Sequence, residues 1–544
     1  MLKFLNKIWT KLNSWSFLSI LSVVFVSTPI ILIGFNVFNP TNEIMTHIIE
    51  NLLTIYVKNT LILSLGTGFF TIILGVLLAY LVSFFEFPGR KFFTWALVLP
   101  LAIPDYIGAY VYSNIFSYTG YIPTLLRNKF NIAYNLDIMN NYGAIFVFTI
   151  CFYPYVYLVV KSFLSRQSSS LVEVSKSLGK NDFEIFFGVI LPISRGAIIG
   201  GVTLVILEVL NAYGLPYYFG IQTFSTGIFR VWFSFKDLDS AIKMSAMLLI
   251  FTYLIIIGEK YFRKNRSYSY SNTKIKYIKR EVLTGKFKIF ALIFISLIFV
   301  ISFIVPITQL IYWASLTYST VLTREFLMLF TNSLTITLIT TIIILTISVI
   351  IANSVRLGRG KFAFIISKLA TMGYSVPGAV IAIGMLLFFI TLDNKLIPVY
   401  RIFGSENTLV LTMSFALLIS AYVVRFLAIS FNNVESGFDK IGLKFHEASR
   451  TLGNGITKTF WKIDLPMIKP SLIGAGILVF IEIIKELPLT LILRPFNFNT
   501  LSTTIKQYVE DEMLPEAAVP SLILIFICFV LLFVFNKIEK GKKI

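Results

Sequence analysis

The sequence predicts an all-α polytopic membrane protein with about 12 transmembrane helices in two parallel six-helix repeats. Three observations carry that expectation. Of 544 residues, 56% are hydrophobic and only 14% charged, where a soluble chain averages about 25% charged; mean hydropathy is +0.82. Apolar runs close to the ~20 residues needed to cross a bilayer recur along the whole length. A polar, basic island occurs twice, its landmarks repeating 274 positions later.

In order, Lys3, Lys7 and Lys11 precede an apolar run at about 16–38. It is longer than a signal peptide and no small-residue cleavage site follows, so it reads as the first span. Pro29 is expected to kink it. Further spans fall at about 59–85, 92–115, 141–164, 194–218 and 240–259. A basic tract at 260–288 holds ten Lys or Arg against one acid, Glu281. Six more spans follow at about 287–313, 329–355, 362–390, 408–432, 467–493 and 517–536. The domains read as a first half at 1–260 with an island at 166–192, a linker at 261–286, and a second half at 287–544 with an island at 433–466.

Basic residues concentrate in alternate loops, including the N-terminus, the 260–288 tract and Lys537, Lys540, Lys542 and Lys543 at the C-terminus. That asymmetry predicts cytoplasmic termini and cytoplasmic islands. The net charge of +20 is then topology and contact with anionic lipid, not nucleic-acid binding. Asn59-Thr60-Leu61 and Asn332-Ser333-Leu334 open spans 2 and 8; Pro104 and Pro377 match in spans 3 and 9; Glu208 and Glu482 match in spans 5 and 11. Each half has an even number of spans, so the repeat is parallel about the membrane normal and a pathway belongs between the halves.

Several classes are excluded. Cys151 and Cys528 form no CxxC pair, and His47 and His446 fall on opposite sides of the membrane, so no stable metal site is expected. No G-x-x-x-x-G-K-[ST] loop is present, so the chain has no nucleotide site of its own. No catalytic residues are expected. No selectivity-filter loop is visible, which disfavours a channel.

The first island runs Glu173-Val174-Ser175-Lys176-Ser177-Leu178-Gly179 and ends at Val189-Ile190-Leu191-Pro192. The second runs Glu447-Ala448-Ser449-Arg450-Thr451-Leu452-Gly453 and ends at Ile463-Asp464-Leu465-Pro466. Each predicts a short helix (Val172–Leu178, Phe445–Leu452) with Gly179 or Gly453 as a left-handed C-cap. A second short helix follows (Asp182–Val189, Gly455–Lys462), with Pro192 or Pro466 stopping it and starting the next span.

Charges at mid-membrane each cost about 2.5–3.5 kcal/mol and need a reason. Glu208 and Glu482 occupy equivalent places, and a pathway role is expected for both. Glu482, Lys485 and Glu486 share one helix face, where Lys485 is expected either to pair internally or to face the pathway. Pro488 is expected to break span 11, and Gly214 and Pro216 the matching part of span 5. Tyr213, Tyr217 and Tyr218 are candidates for the pathway wall or the interface. Asp105 is placed at an outer mouth, and Arg425 as a structural partner.

Both islands resemble the EAA loop of ABC-importer permeases, E-A-A-x3-G-x9-I-x-L-P. The second departs at Ser449; the first departs at Val174, Ser175 and Val189. The resemblance implies the type I importer permease fold, with the loops docking into ATP-binding subunits through Glu173, Ser175, Gly179, Leu191, Pro192, Glu447, Ala448, Gly453, Leu465 and Pro466. The stretch Leu207-Glu208-Val209-Leu210-Asn211-Ala212-Tyr213-Gly214, the segment 218–230, and Lys485-Glu486-Leu487-Pro488-Leu489-Thr490-Leu491 on to Phe498 resemble ferric-iron permeases with fused halves. This implies an iron transport permease of a bacterial inner membrane. Its implied partners are two cytoplasmic ATP-binding subunits carrying the ATP and Mg, and an extracytoplasmic ferric-iron-binding protein. A hard trivalent cation prefers oxygen ligands, so Glu208 and Glu482 are expected to hold it transiently. The alternatives are a fused permease for thiamine, aminoalkylphosphonate or another small solute, and a secondary transporter driven by an ion gradient.

Overall fold

A computed structural model describes residues 14–132, 137–165, 170–263, 280–358, 360–404 and 408–541. The N-terminal lysines, most of the basic tract, the start of the first island at 166–169, and Lys542 and Lys543 lie outside the described residues. Among the described residues, eleven helices are long and apolar enough to cross a membrane, and a twelfth crossing is a bent pair.

The first half comprises α1 (Ser14–Asn36), α2 (Glu43–Phe84), strand β1 (Phe85–Glu86), α3 (Arg90–Ala96), α4 (Asp105–Phe116), α5 (Tyr121–Phe130), α6 (Asn141–Leu164), α7 (Ser170–Ser177), α8 (Asp182–Asn211), α9 (Gly214–Tyr218), α10 (Phe224–Arg230) and α11 (Leu238–Arg263). After β2 (Glu281–Val282), the second half repeats the order: α12 (Gly285–Val321), α13 (Arg324–Leu357), α14 (Lys361–Ala370), α15 (Gly378–Ile402), α16 (Phe415–Ile441), α17 (Lys444–Thr451), α18 (Ile456–Ile484), α19 (Pro488–Leu493), α20 (Leu501–Glu510) and α21 (Leu514–Gly541).

Each half is built on a three-helix core. Helices α2, α6 and α8 pack together in the first half, and α13, α16 and α18 in the second. The halves are interleaved at their first spans. Helix α1 lies on α13, α14 and α15 of the second half, and the later part of α12 lies on α4 of the first. Tyr110 stacks on Trp313, and the Tyr112 hydroxyl donates to the Ile301 carbonyl. The linker returns to the first half through β2, which pairs in parallel with β1 at Phe85↔Glu281 and Glu86↔Val282.

Two sequence expectations are corrected. Spans 3 and 9, each expected as one run at about 92–115 and 362–390, are interrupted. The pair Arg90–Ala102 and Asp105–Phe130 bends by 93°, and Ala370 is separated from Gly378 by a 3-10 turn over Met372–Ser375. The cause is the same in both halves. A residue before proline is driven out of the helical region, so Ile103 (ψ 111°) and Val376 (ψ 126°) are extended, and Pro104 and Pro377 open the next helix. The second correction is that Pro192 and Pro466 stop nothing. Helices α8 and α18 run through them, because a π turn precedes each proline. The Leu191 N–H donates to the Phe186 carbonyl and the Leu465 N–H to Phe460, one residue farther back than in an α-helix. That wider turn lets the chain pass proline without a break.

Candidate functional site

The breaks converge on one place. Helix α8 ends at Asn211, with Ala212 extended (ψ 125°), and α9 restarts at Gly214. Helix α18 ends at Ile484, and α19 restarts at Pro488. Between these ends and the breaks at Pro104 and Pro377 lies a cavity of about 70 Å³. Four carboxylates (Asp105, Glu208, Glu482, Glu486) and two cations (Lys485, Arg425) line it, together with Asn211, Tyr155 and Tyr213. Irregular backbone at membrane depth is tolerated where it borders such a cavity.

Glu208 and Glu482 both face this cavity, one from each half. Their surroundings differ. Glu482 holds Lys485, the residue just past the end of α18, at 2.9 Å; with the helix ending at Ile484, Glu482, Lys485 and Glu486 do not share the one helix face expected of them. Glu208 receives a long hydrogen bond from the Tyr374 hydroxyl, 3.5 Å, across the two halves. Glu486 is buried and accepts the Leu489 N–H at the start of α19, at 3.2–3.3 Å to its two oxygens. The Arg425 guanidinium stands 3.8 Å from Glu486 and donates to the Val376 carbonyl at 2.7 Å. Arg425 is thus a structural partner that ties α16 to both breaks of the second half. Removing one member of such a buried pair costs about 3–5 kcal/mol.

Asp105 lines the cavity rather than standing at an outer mouth, directly after the 93° bend at Pro104. One of its oxygens is buried without a hydrogen-bond donor. Tyr213 is buried, stacks on Phe229 at 3.7 Å and on Tyr217 at 5.1 Å, and borders a second cavity of about 430 Å³ that also contacts Arg230 and Lys506. The same ring therefore walls both cavities. Tyr217 lines only the larger one, and Tyr218 bonds to Ser113 at 3.1 Å.

Sequence reasoning missed Asn211, Tyr374 and Gly378. The Gly378 N–H donates to Asn211 Oδ1 at 2.7 Å, fastening the second half's break to the first half's. A Cβ at Gly378 would meet Glu486 Oε1 at 2.9 Å and Asn211 Oδ1 at 3.1 Å. The signal was present: Pro377-Gly378 is the counterpart of Pro104-Asp105. We expect Gly378→Ala to leave membrane insertion intact and lower uptake severalfold, as overpacking at a cost of about 1–3 kcal/mol separates the halves. Uptake at the wild-type rate, at equal amounts in the membrane, would dismiss this contact.

The islands share one end of the bundle, reached after α6 and α16. Gly179 (φ +77°) and Gly453 (φ +83°) close α7 and α17 in the left-handed region. Identical hydrogen bonds follow. The Gly179 and Lys180 N–H groups donate to Lys176 and Ser175, and those of Gly453 and Asn454 to Arg450 and Ser449. This is the Schellman closure in both copies. Glu173, Glu447 and Ala448 are exposed, Ser175 is buried, Leu191 and Leu465 are half-buried, and Pro192 and Pro466 are exposed. Exposed apolar side chains surround both turns: Val174, Leu178 and Phe183 in the first, Phe445, Leu452 and Trp461 in the second.

Among the described residues, no group of three or more His, Cys, Asp or Glu is placed to hold a metal ion. Two stretches, 71–263 and 344–543, match the family described as the binding-protein-dependent transport system inner membrane component. The chain is similar to the Fe(3+)-transport system permease protein FbpB 2 of Haemophilus influenzae, 28% identical over 489 residues, covering 88% of this chain and 89% of that protein. It is also similar to the ferric transport system permease protein FbpB of Actinobacillus pleuropneumoniae, 22% identical over 510 residues, covering 90% of this chain and 72% of that one.

Proposed function

The chain belongs to the binding-protein-dependent transport system inner membrane component family; as a multi-pass permease subunit of an ABC importer, we propose, it carries ferric iron inward. The observation that carries the proposal is a carboxylate-rich cavity between two interleaved halves, with two matched islands at one end. The names of its relatives support iron as cargo. So does the donor set, since a hard cation is attracted by carboxylate oxygen.

In this reading the islands face the cytoplasm, as do both termini. Each island docks on one of two ATP-binding subunits, which hold the ATP and Mg. Residues Glu173, Ser175, Gly179, Leu191, Pro192, Glu447, Ala448, Gly453, Leu465 and Pro466 form or support the docking surfaces. A solute-binding protein delivers iron to the larger outer cavity at Tyr213. ATP-driven closure of the partner subunits then rocks the halves, and the cargo passes Glu208 and Glu482. Tyr213, Lys485 and Glu486 line the way. The first half spans 1–260 and the second 287–544, with 261–286 as tether.

The test uses the assembled transporter in detergent or nanodiscs. Ferric-loaded solute-binding protein stimulates ATP hydrolysis, whereas thiamine- or aminoalkylphosphonate-binding proteins do not. Stimulation by one of the latter, with none by the ferric form, would reassign the cargo.

A further inference from the structure

The two islands are attached to the bundle by different chemistry. In the second, His446 of α17 and Asp464 of α18 meet at 2.7 Å between Nδ1 and Oδ2. The other oxygen of Asp464 faces Arg356 of α13 at 3.0 Å. Asp464 is fully buried and His446 is 4% exposed. Arg356 also donates to the Gly442 carbonyl at the end of α16, 2.5 Å, and lies over the Phe438 ring at 4.7 Å. One carboxylate therefore joins the island helix to α18 and, through Arg356, to the ends of α13 and α16. Two further bonds brace the same corner, Ser449 with Thr459 at 3.0 Å and the Trp15 indole of α1 to Thr457 at 3.3 Å.

The first half carries none of these three groups at the matching positions, where Ser83, Val172 and Ile190 stand. In the first island Lys176 pairs with Asp182 of the same island at 3.2 Å and with Glu281 of the linker strand, while Ile185, Ile190 and Phe186, whose ring meets Tyr80 at 4.8 Å, are buried. Burial draws the Lys176 ammonium down, but its bonds to Glu281 and Asp182 outweigh this and leave it above the usual lysine value. The three charged side chains are at least 37% exposed. Such exposed pairs contribute about 0–1 kcal/mol, whereas breaking a buried one by removing a partner costs about 3–5 kcal/mol.

We propose that Asp464 is a positioning residue for transport coupling: with Arg356 and His446 it locks the second island to α13, α16 and α18. Helix α18 runs 18 residues from Asp464 to Glu482, with Pro470 inside it, a helical rise of roughly 27 Å. A displacement of α17 by a docked subunit is thereby delivered to the Glu482–Lys485 end at the cavity. Asp464 touches no cargo; it acts through α18. The inference rests on the ABC-importer function above.

The experiment gives the second half the first half's residues: Arg356→Ser, His446→Val and Asp464→Ile together, in proteoliposomes holding the ATP-binding subunits and ferric-loaded binding protein. The ATP-binding subunits should remain bound and basal ATP hydrolysis should persist. The ratio of iron imported to ATP hydrolysed should fall about fivefold or more, the lower range of a coupling free energy. Lys176→Ala should leave that ratio within about twofold of wild type, as expected for an exposed pair. A purely structural role would lower uptake and hydrolysis together and leave the ratio unchanged, which overturns the proposal; so does loss of the ATP-binding subunits. Should the triple variant not fold, Asp464→Asn must lower the ratio and Asp464→Glu restore part of it; an unchanged ratio in Asp464→Asn overturns the proposal. Failure of wild type itself to couple ATP to import would instead refute the importer assignment.

Discussion

Glu447→Arg combined with Gly453→Pro is expected to strip the ATP-binding subunit from the purified complex. Gly453 holds φ at +83°, which the proline ring, fixed near −65°, does not reach. Its N–H donates to the Arg450 carbonyl, closing α17, and proline has no N–H to give. Proline at a position whose φ it does not reach and whose N–H was bonded destabilises by more than about 1 kcal/mol at a single turn. Leu452, 82% exposed just before that turn, would be re-aimed with it. Arginine at 447 reverses a charge on the exposed side of the same helix. Co-purification of the permease with its ATP-binding subunit reads the result, and an intact complex would remove the second island from the coupling surface. The same pair of changes at Glu173 and Gly179 should weaken the complex less, because the first island departs further from the EAA pattern.

Glu208→Gln together with Glu482→Gln is expected to reduce ferric uptake at least tenfold without loss of membrane insertion. Two unit charges 4 Å apart interact by about 4 kcal/mol at an effective dielectric constant of 20, and about 1.4 kcal/mol already amounts to tenfold. The two single changes should differ. Glutamine at 482 keeps an acceptor but removes the negative charge that balances the Lys485 ammonium at 2.9 Å, leaving an uncompensated, repulsive cation at the pathway. Glutamine at 208 keeps an acceptor for Tyr374. Glu482→Gln should therefore be the more damaging, as judged by radiolabelled iron uptake at matched protein levels. Unchanged uptake in the double variant would place the cargo elsewhere.

Much of the architecture was legible because membrane insertion writes it into composition. Span number, the parallel repeat, the left-handed glycines and the paired Glu208 and Glu482 follow from hydropathy, charge asymmetry and fixed spacing. The breaks after Ile103 and Val376 were less visible. Hydropathy does not register a bend, although proline's effect on its predecessor was readable at both places. The π turns before Pro192 and Pro466 have no compositional mark. Contacts between distant segments were invisible for a simpler reason. Arg356, His446 and Asp464 lie in three separate elements, and each alone looks like an ordinary polar residue of a basic loop. Only Asp464, a lone acid between Ile463 and Leu465, signalled that a buried partner was needed. Asn211 and Gly378 escaped notice because neither carries a charge.

Iron uptake by proteoliposomes containing this permease and its ATP-binding subunits tests ATP-driven import most directly. Ferric-loaded binding protein is supplied on one side and ATP on the other. Accumulation is expected to require all three components, to stop when ATP is omitted, and to persist in the presence of an uncoupler. Accumulation that continues without ATP and collapses with the uncoupler would contradict ATP-driven import, and would make the charged cavity that of a gradient-driven transporter.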